Sequence, residues 1–154
     1  MLQLMIDTAL FSGIDKEKVK EISAFSEHLR LPEGAQLIGE VDEGQHPDLY
    51  LLVDGAVNVG TRFSPLPGAK TLNLNAISSE LFGEIAWLLG NKRTASVTCI
   101  KNSSFVRIDG DKFFQYCQKD SVVGVELMSR IASVLAQRVA HLTEQLRDKN
   151  LYSN

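Results

Sequence analysis

The chain has 154 residues, 44% of them hydrophobic and 23% charged, with a formal net charge of −3 and a pI of about 5.6. That is the composition of one globular domain with a single core, and it is too short for two ordinary domains. A surface of this balance has no general electrostatic pull on DNA, RNA or anionic lipid, although one buried Arg and a few backbone N–H groups can still hold a small anion.

Residues 2–11 (LQLMIDTALF) read as a brief helix, broken by Ser12-Gly13. Asp15 is the expected N-cap of an amphipathic helix through KEKVKEISAFSEHL, in which Val19, Ile22, Phe25 and Leu29 recur at helical spacing until Pro32 and Gly34 end it. From 35 to 109 the texture changes. LYLLV, AVNVG, TLNLNAI, ASVTCI and SFVRID alternate with turn clusters, the pattern of an antiparallel β-sandwich or barrel rather than of βα units. One stretch interrupts it: LFGEIAWLLGNKR is too apolar for a loop and lacks strand alternation, so a short helix between Gly83 and Gly90 is expected. Asp109-Gly110-Asp111 opens another helix, and a long one runs from Ser121 to Asn150 with Met128, Ile131, Leu135, Val139, Leu142 and Leu146 as its apolar stripe. The fold class is α+β: an antiparallel β-sandwich or jelly-roll barrel with N-terminal helices (1–30), a β-roll (31–109) and two C-terminal helices (110–150), all in one domain.

Chemistry gathers around the short helix. A helix N-terminus presents unpaired N–H groups and a partial positive field. Gly83 and the small Ala86 and Ala95 let a ligand approach the backbone. Arg93 is a permanently charged fork suited to two phosphate oxygens, and Glu84 can accept from a sugar hydroxyl. With Leu72, Leu74 and Ile85 as an apolar wall, the set describes a ribose-phosphate site. The two charges alone leave open a plainer alternative, that Glu84 and Arg93 pair with each other on a surface turn.

The string FGEIAWLLGNKRTASV resembles the phosphate-binding cassette of the cyclic-nucleotide-binding family, Phe-Gly-Glu-hydrophobic-Ala/Ser followed several residues later by Arg-Ser/Thr/Ala-Ala. Phe82, Gly83, Glu84, Ile85, Ala86, Arg93, Thr94 and Ala95 all fit. LPEGAQLI and DLYLLVDGAVNV are similar to the family's early strands, and DGDKFFQYCQKD with the long helix to its C-terminal helices. The resemblance implies that Glu84 binds the ribose 2′-hydroxyl and Arg93 the cyclic phosphate, with backbone amides near Ala86 and Thr94–Ala95 as further donors. It implies cAMP as ligand, with cGMP the second choice. Arg138 and Thr143 lie where family members reach the base; both facing solvent is the alternative. Departures are Val41 in place of a usual Gly, a longer loop through Gly44, His46 and Pro47, Ser79-Glu80 for Gly-Asp, and Lys92 for Pro.

A helix of about 30 residues is about 45 Å long, more than a small sandwich covers. A homodimer through it is expected, the alternatives being a partner protein's helix or packing wholly on its own domain. Only Leu151–Asn154 follow, so no DNA-reading domain is expected, and the output is contact with a protein partner. No catalytic cofactor, metal or enzymatic activity is expected: His28, His46 and His141 are dispersed, and Cys99 and Cys117 read as packing thiols. With no signal peptide and no stretch near 18 apolar residues, the protein is expected in the cytoplasm, off the membrane. The alternative function is an interaction module of the same fold that uses no nucleotide.

Overall fold

The computed structural model describes residues 1–37, 46–61, 80–90 and 95–152. In chain order they form α1 (Leu2–Ile6), α2 (Lys16–Ser23), β1 (Ser26–Leu31), β2 (Gln36–Leu37), β3 (Leu49–Asp54), β4 (Val57–Thr61), β5 (Leu81–Phe82), α3 (Glu84–Leu89), β6 (Ala95–Cys99), β7 (Ser103–Ile108), α4 (Gly110–Lys119) and α5 (Ser121–Tyr152). The strands make two antiparallel sheets, one ordered β1-β7-β3-β5 and the other β2-β6-β4. The expected strand TLNLNAI lies outside the described residues.

Period-two alternation explains how the larger sheet is buried on both faces. Tyr50, Phe82 and Phe105 point at the smaller sheet and meet Leu37, Val97 and Cys99 there. Their neighbours Leu49, Leu51, Leu81, Val106 and Ile108 point the other way, into a second core built with the helices. Met5, Phe11, Ile22, Trp87, Phe113, Leu127 and Ile131 complete that core, each fully buried. The order of layers is therefore helices, four-stranded sheet, three-stranded sheet. This is the α+β sandwich that the sequence pattern implies.

Two N-terminal expectations are corrected. The first helix stops at Ile6, and turns carry the chain on to Gly13. The second, capped by the Asp15 carboxylate accepting from Glu17 N at 3.1 Å, ends at Ser23 and does not continue to Leu29. Residues 26–31 instead pair with β7, Leu29 opposite Phe105 and Ser26 opposite Ile108. Leu29 and Leu31 satisfy a period of two as well as Phe25 and Leu29 satisfy one near four, and the six-residue ladder decides between them.

Arg130 on α5 ties down the N-terminal turns. Its Nη1 donates to the carbonyls of Leu10 at 2.9 Å and Ser12 at 2.6 Å, and its Nε meets Glu126 at 3.0 Å. Hydrogen bonds from a charged donor contribute about 1.5–3 kcal/mol each, less where water reaches them. Arg130→Leu is expected to cost about 2 kcal/mol and to speed amide exchange between Met5 and Ile14 before the rest of the chain. Uniform exchange across the chain would contradict the strap. Between α2 and the start of α5, Lys18 Nζ meets Asp120 at 2.8 Å. That hydrogen bond holds the Asp120 carboxyl below its ordinary value of 3.8, so its stabilisation is present above that pH and is lost as pH falls further. Both cysteines are free thiols, and burial pushes Cys117 up to about 11, where little thiolate forms at neutral pH.

Candidate functional site

The β3–β5 ladder pairs Tyr50 with Phe82 and delivers the chain to Gly83. Gly83 adopts φ +90°, a conformation open to glycine at little cost, and reverses the backbone into α3. Its carbonyl accepts from Trp87 N at 3.0 Å, and Gly90 closes the helix through a bond from its N–H to Ala86 O at 2.8 Å. The helix therefore begins and ends at the expected glycines. Glu84, Ala86 and Trp87 are buried, while Ile85, Leu88 and Leu89 are exposed.

A cavity of about 60 Å³ opens beside this turn. Gly83, Glu84 and Arg138 form its polar end, and Leu37, Tyr50, Val59, Phe82 and Val97 its apolar wall, with Ile85 and Ala86 at the rim. The Glu84 side chain is only 4% exposed. A carboxylate so buried needs a partner, and Arg138, reaching across from α5, supplies it through Nη1. Nη2 of the same guanidinium donates to the Leu81 carbonyl, and its carbon lies 5.7 Å from the centre of the Phe82 ring. One arginine thus spans the last strand and the first helical residue of the site.

Among the residues expected to bind, Phe82, Gly83, Glu84, Ile85, Ala86 and Arg138 line one cavity. Thr143 is away from it: it is exposed, and its hydroxyl donates to Val139 O at 2.9 Å. Ala95 begins β6 opposite Thr61. Leu72, Leu74, Arg93 and Thr94 lie outside the described residues. Sequence reasoning missed Leu37, Tyr50, Val59 and Val97 as wall residues. The alternation of LYLLV, which puts Tyr50 and Leu52 on one face, carries the signal for Tyr50. Among the described residues no three His, Cys, Asp or Glu side chains gather as metal ligands, and no helix is long and apolar enough to cross a membrane.

With this geometry in place, residues 28–120 match the model of the family described as the cyclic nucleotide-binding domain. The chain belongs to that family. The fold agrees. A cyclic nucleotide-binding domain from Methylobacillus flagellatus superposes with a TM-score of 0.73 at 23% identity, over 96% of this chain and 81% of that one. The catabolite activator protein of Thermus thermophilus gives 0.67 at 23% identity, over 92% of this chain and 62% of that one. A cAMP-binding acyltransferase from Mycobacterium smegmatis gives 0.66 at 21%, over 90% of this chain and 40% of that one. At these identities the likenesses speak for the fold. No curated protein matches the chain by sequence.

Proposed function

We propose that this cyclic nucleotide-binding domain is a regulatory sensor of cAMP, with cGMP the second choice, that reports through its C-terminal helices to a protein partner. The observation that carries the reading is the buried Glu84 carboxylate at the cavity's polar end, held by a residue of the long helix. On the family's pattern Glu84 takes the ribose 2′-hydroxyl and Arg93 the cyclic phosphate. A ribose that reaches the Glu84 carboxylate meets Arg138, which holds the same carboxylate. Ligand and α5 thereby compete for, or share, one carboxylate, and ligand binding shifts the population of α5 positions.

Helix α5 has the two apolar faces such a relay needs. Leu127, Ile131 and Val134 are buried in the domain, and Arg138 continues that row. Ile131, one residue of the expected apolar stripe, faces inward. On the other side Val125, Val139, Leu142 and Leu146 are 46–66% exposed. Together with Met128, Ala132 and Leu135 they follow alternating steps of 3 and 4 for six intervals, the spacing of a coiled-coil seam. We read this as the face of a parallel homodimer. Sedimentation at rising concentration should give two chains per particle, and a monomer at all concentrations would remove the dimer from the account.

The phosphate assignment is tested by ligand-induced thermal stabilisation, since a ligand bound only by the folded state raises Tm in proportion to ln(1 + [L]/Kd). Arg93→Ala should weaken cAMP binding about tenfold or more, the loss of one or two charge-assisted hydrogen bonds. An unchanged concentration dependence would place the phosphate elsewhere.

A further inference from the structure

Behind the site, the carboxyl end of α3 is fastened to the amino end of α4 by residues that the ligand contacts do not use. His46 is the centre of the fastening. Its Nδ1 lies 2.9 Å from the Trp87 carbonyl. A carbonyl can only accept, so Nδ1 carries the proton. The His46 ring stacks on Phe114 of α4, with centroids 4.1 Å apart and planes 17° from parallel. Its backbone N–H donates to the Asp111 carboxylate at 2.9 Å. Trp87 answers in the same direction: its indole N–H donates to Gly110 O at 2.9 Å, and its ring meets Phe113 at 5.4 Å. The backbone closes the joint. A Cβ on Gly110 would stand 2.2 Å from the carbonyl oxygens of both His46 and Pro47, so residues 46–47 lie directly on the first turn of α4. Asp48 accepts from Gly110 N, the first N–H of α4, at 3.0 Å.

We propose that His46 is a positioning residue that latches the end of α3 onto the start of α4, so that ligand contacts made at the front of α3 carry α4 with them. The inference rests on the reading that cyclic nucleotide binds at Gly83–Ala86, and it adds the path by which that event leaves the site. The physical reason is rigidity. Helix α3 is six residues long, Trp87 is fully buried, and the joint holds both its carbonyl and its indole N–H. A shift of the helix cannot be absorbed there by a side-chain rotation. The coupling therefore has a contiguous physical carrier with named donors and acceptors.

Hydrogen exchange on three proteins tests it: the unaltered chain, His46→Asn and His46→Phe. The Asn amide nitrogen sits where Nδ1 sits, so it keeps the donor and loses the ring, whereas Phe keeps the ring and loses the donor. With cAMP added, the change in exchange over residues 110–119 should be preserved in His46→Asn and fall about threefold or more in His46→Phe. Residues 82–87 should respond in all three. An equal α4 response in all three proteins overturns the latch. So does an equal loss in both variants, since the donor would then carry nothing. A ligand-free arm keeps the test separate from the binding assignment. Without cAMP, the amides of residues 84–90 should exchange about tenfold faster in His46→Phe than in His46→Asn, and equal rates there overturn the latch. If that difference appears and the unaltered protein shows no cAMP response at residues 82–87, the latch stands and the ligand assignment fails.

Discussion

Arg138→Ala is expected to destabilise the folded chain by about 3–5 kcal/mol, the usual consequence of removing one partner from a buried ion pair. The cost arises less from the lost attraction than from what remains. Glu84 is 4% exposed and would be left buried without its guanidinium partner, while the Leu81 carbonyl loses a donor. The double variant Glu84→Gln/Arg138→Met should recover most of the loss, because a neutral pair of similar volume leaves no buried charge. Urea unfolding of Glu84→Gln, Arg138→Met and the double variant should give a coupling energy of about 2–3 kcal/mol. A coupling near zero would mean that Glu84 and Arg138 are independently solvated, and the proposed link between the nucleotide site and α5 would lose its basis.

Trp87→Ala should cost about as much, roughly 3–5 kcal/mol, for a different reason. The ring is fully buried between the four-stranded sheet and α4, in contact with Phe113, so its loss leaves a large cavity that neighbours on rigid elements cannot fill. Its N–H bond to Gly110 O is lost as well, leaving that carbonyl without its indole donor. Against a typical domain stability of about 5–15 kcal/mol, this change leaves little margin. Trp87→Phe keeps most of the volume and should cost about 1–3 kcal/mol. Because Trp87 is the single tryptophan, both variants must be followed by circular dichroism rather than fluorescence. A midpoint for Trp87→Ala within a degree or two of the unaltered chain would show that the ring is not part of the core.

The sequence makes some of this architecture legible and hides the rest for identifiable reasons. Helix α3 is readable because its ends are written in glycine: both Gly83 and Gly90 take positive φ, and no other residue type offers that cheaply. The sandwich is readable from turn spacing. Arg138 is readable in part, since it follows Leu127, Ile131 and Val134 at helical intervals and must share their inward face. The end of α2 is not readable. Phe25 and Leu29 fit a helix and a strand equally, and only pairing with β7, almost eighty residues away, resolves them. The same holds for the cavity wall, where Leu37, Val59 and Val97 meet because two sheets face each other. His46 and Trp87 are 41 positions apart, and nothing local in either neighbourhood announces the contact. Periodicity reports which face a residue occupies, whereas a site depends on which faces are brought together.

Within the site itself, residues 82–86 and Arg138, named from the sequence, converge on one cavity, while Thr143 bonds its own helix outside it. The consequence is a division of labour along α5. Its first half closes the domain core, Arg138 touches the site, and Val139, Leu142 and Leu146 beyond it are exposed.

The proposed sensor requires that a cyclic nucleotide bind beside Glu84 at the start of α3. Calorimetric titration of nucleotide-free protein with cAMP, and separately with cGMP, tests it most directly. A saturable heat is expected with at least one of them, at one site per chain, lost or strongly weakened in Glu84→Gln/Arg138→Met. Absence of heat from both nucleotides, in protein shown to be folded and nucleotide-free and across a range of temperatures, would contradict it.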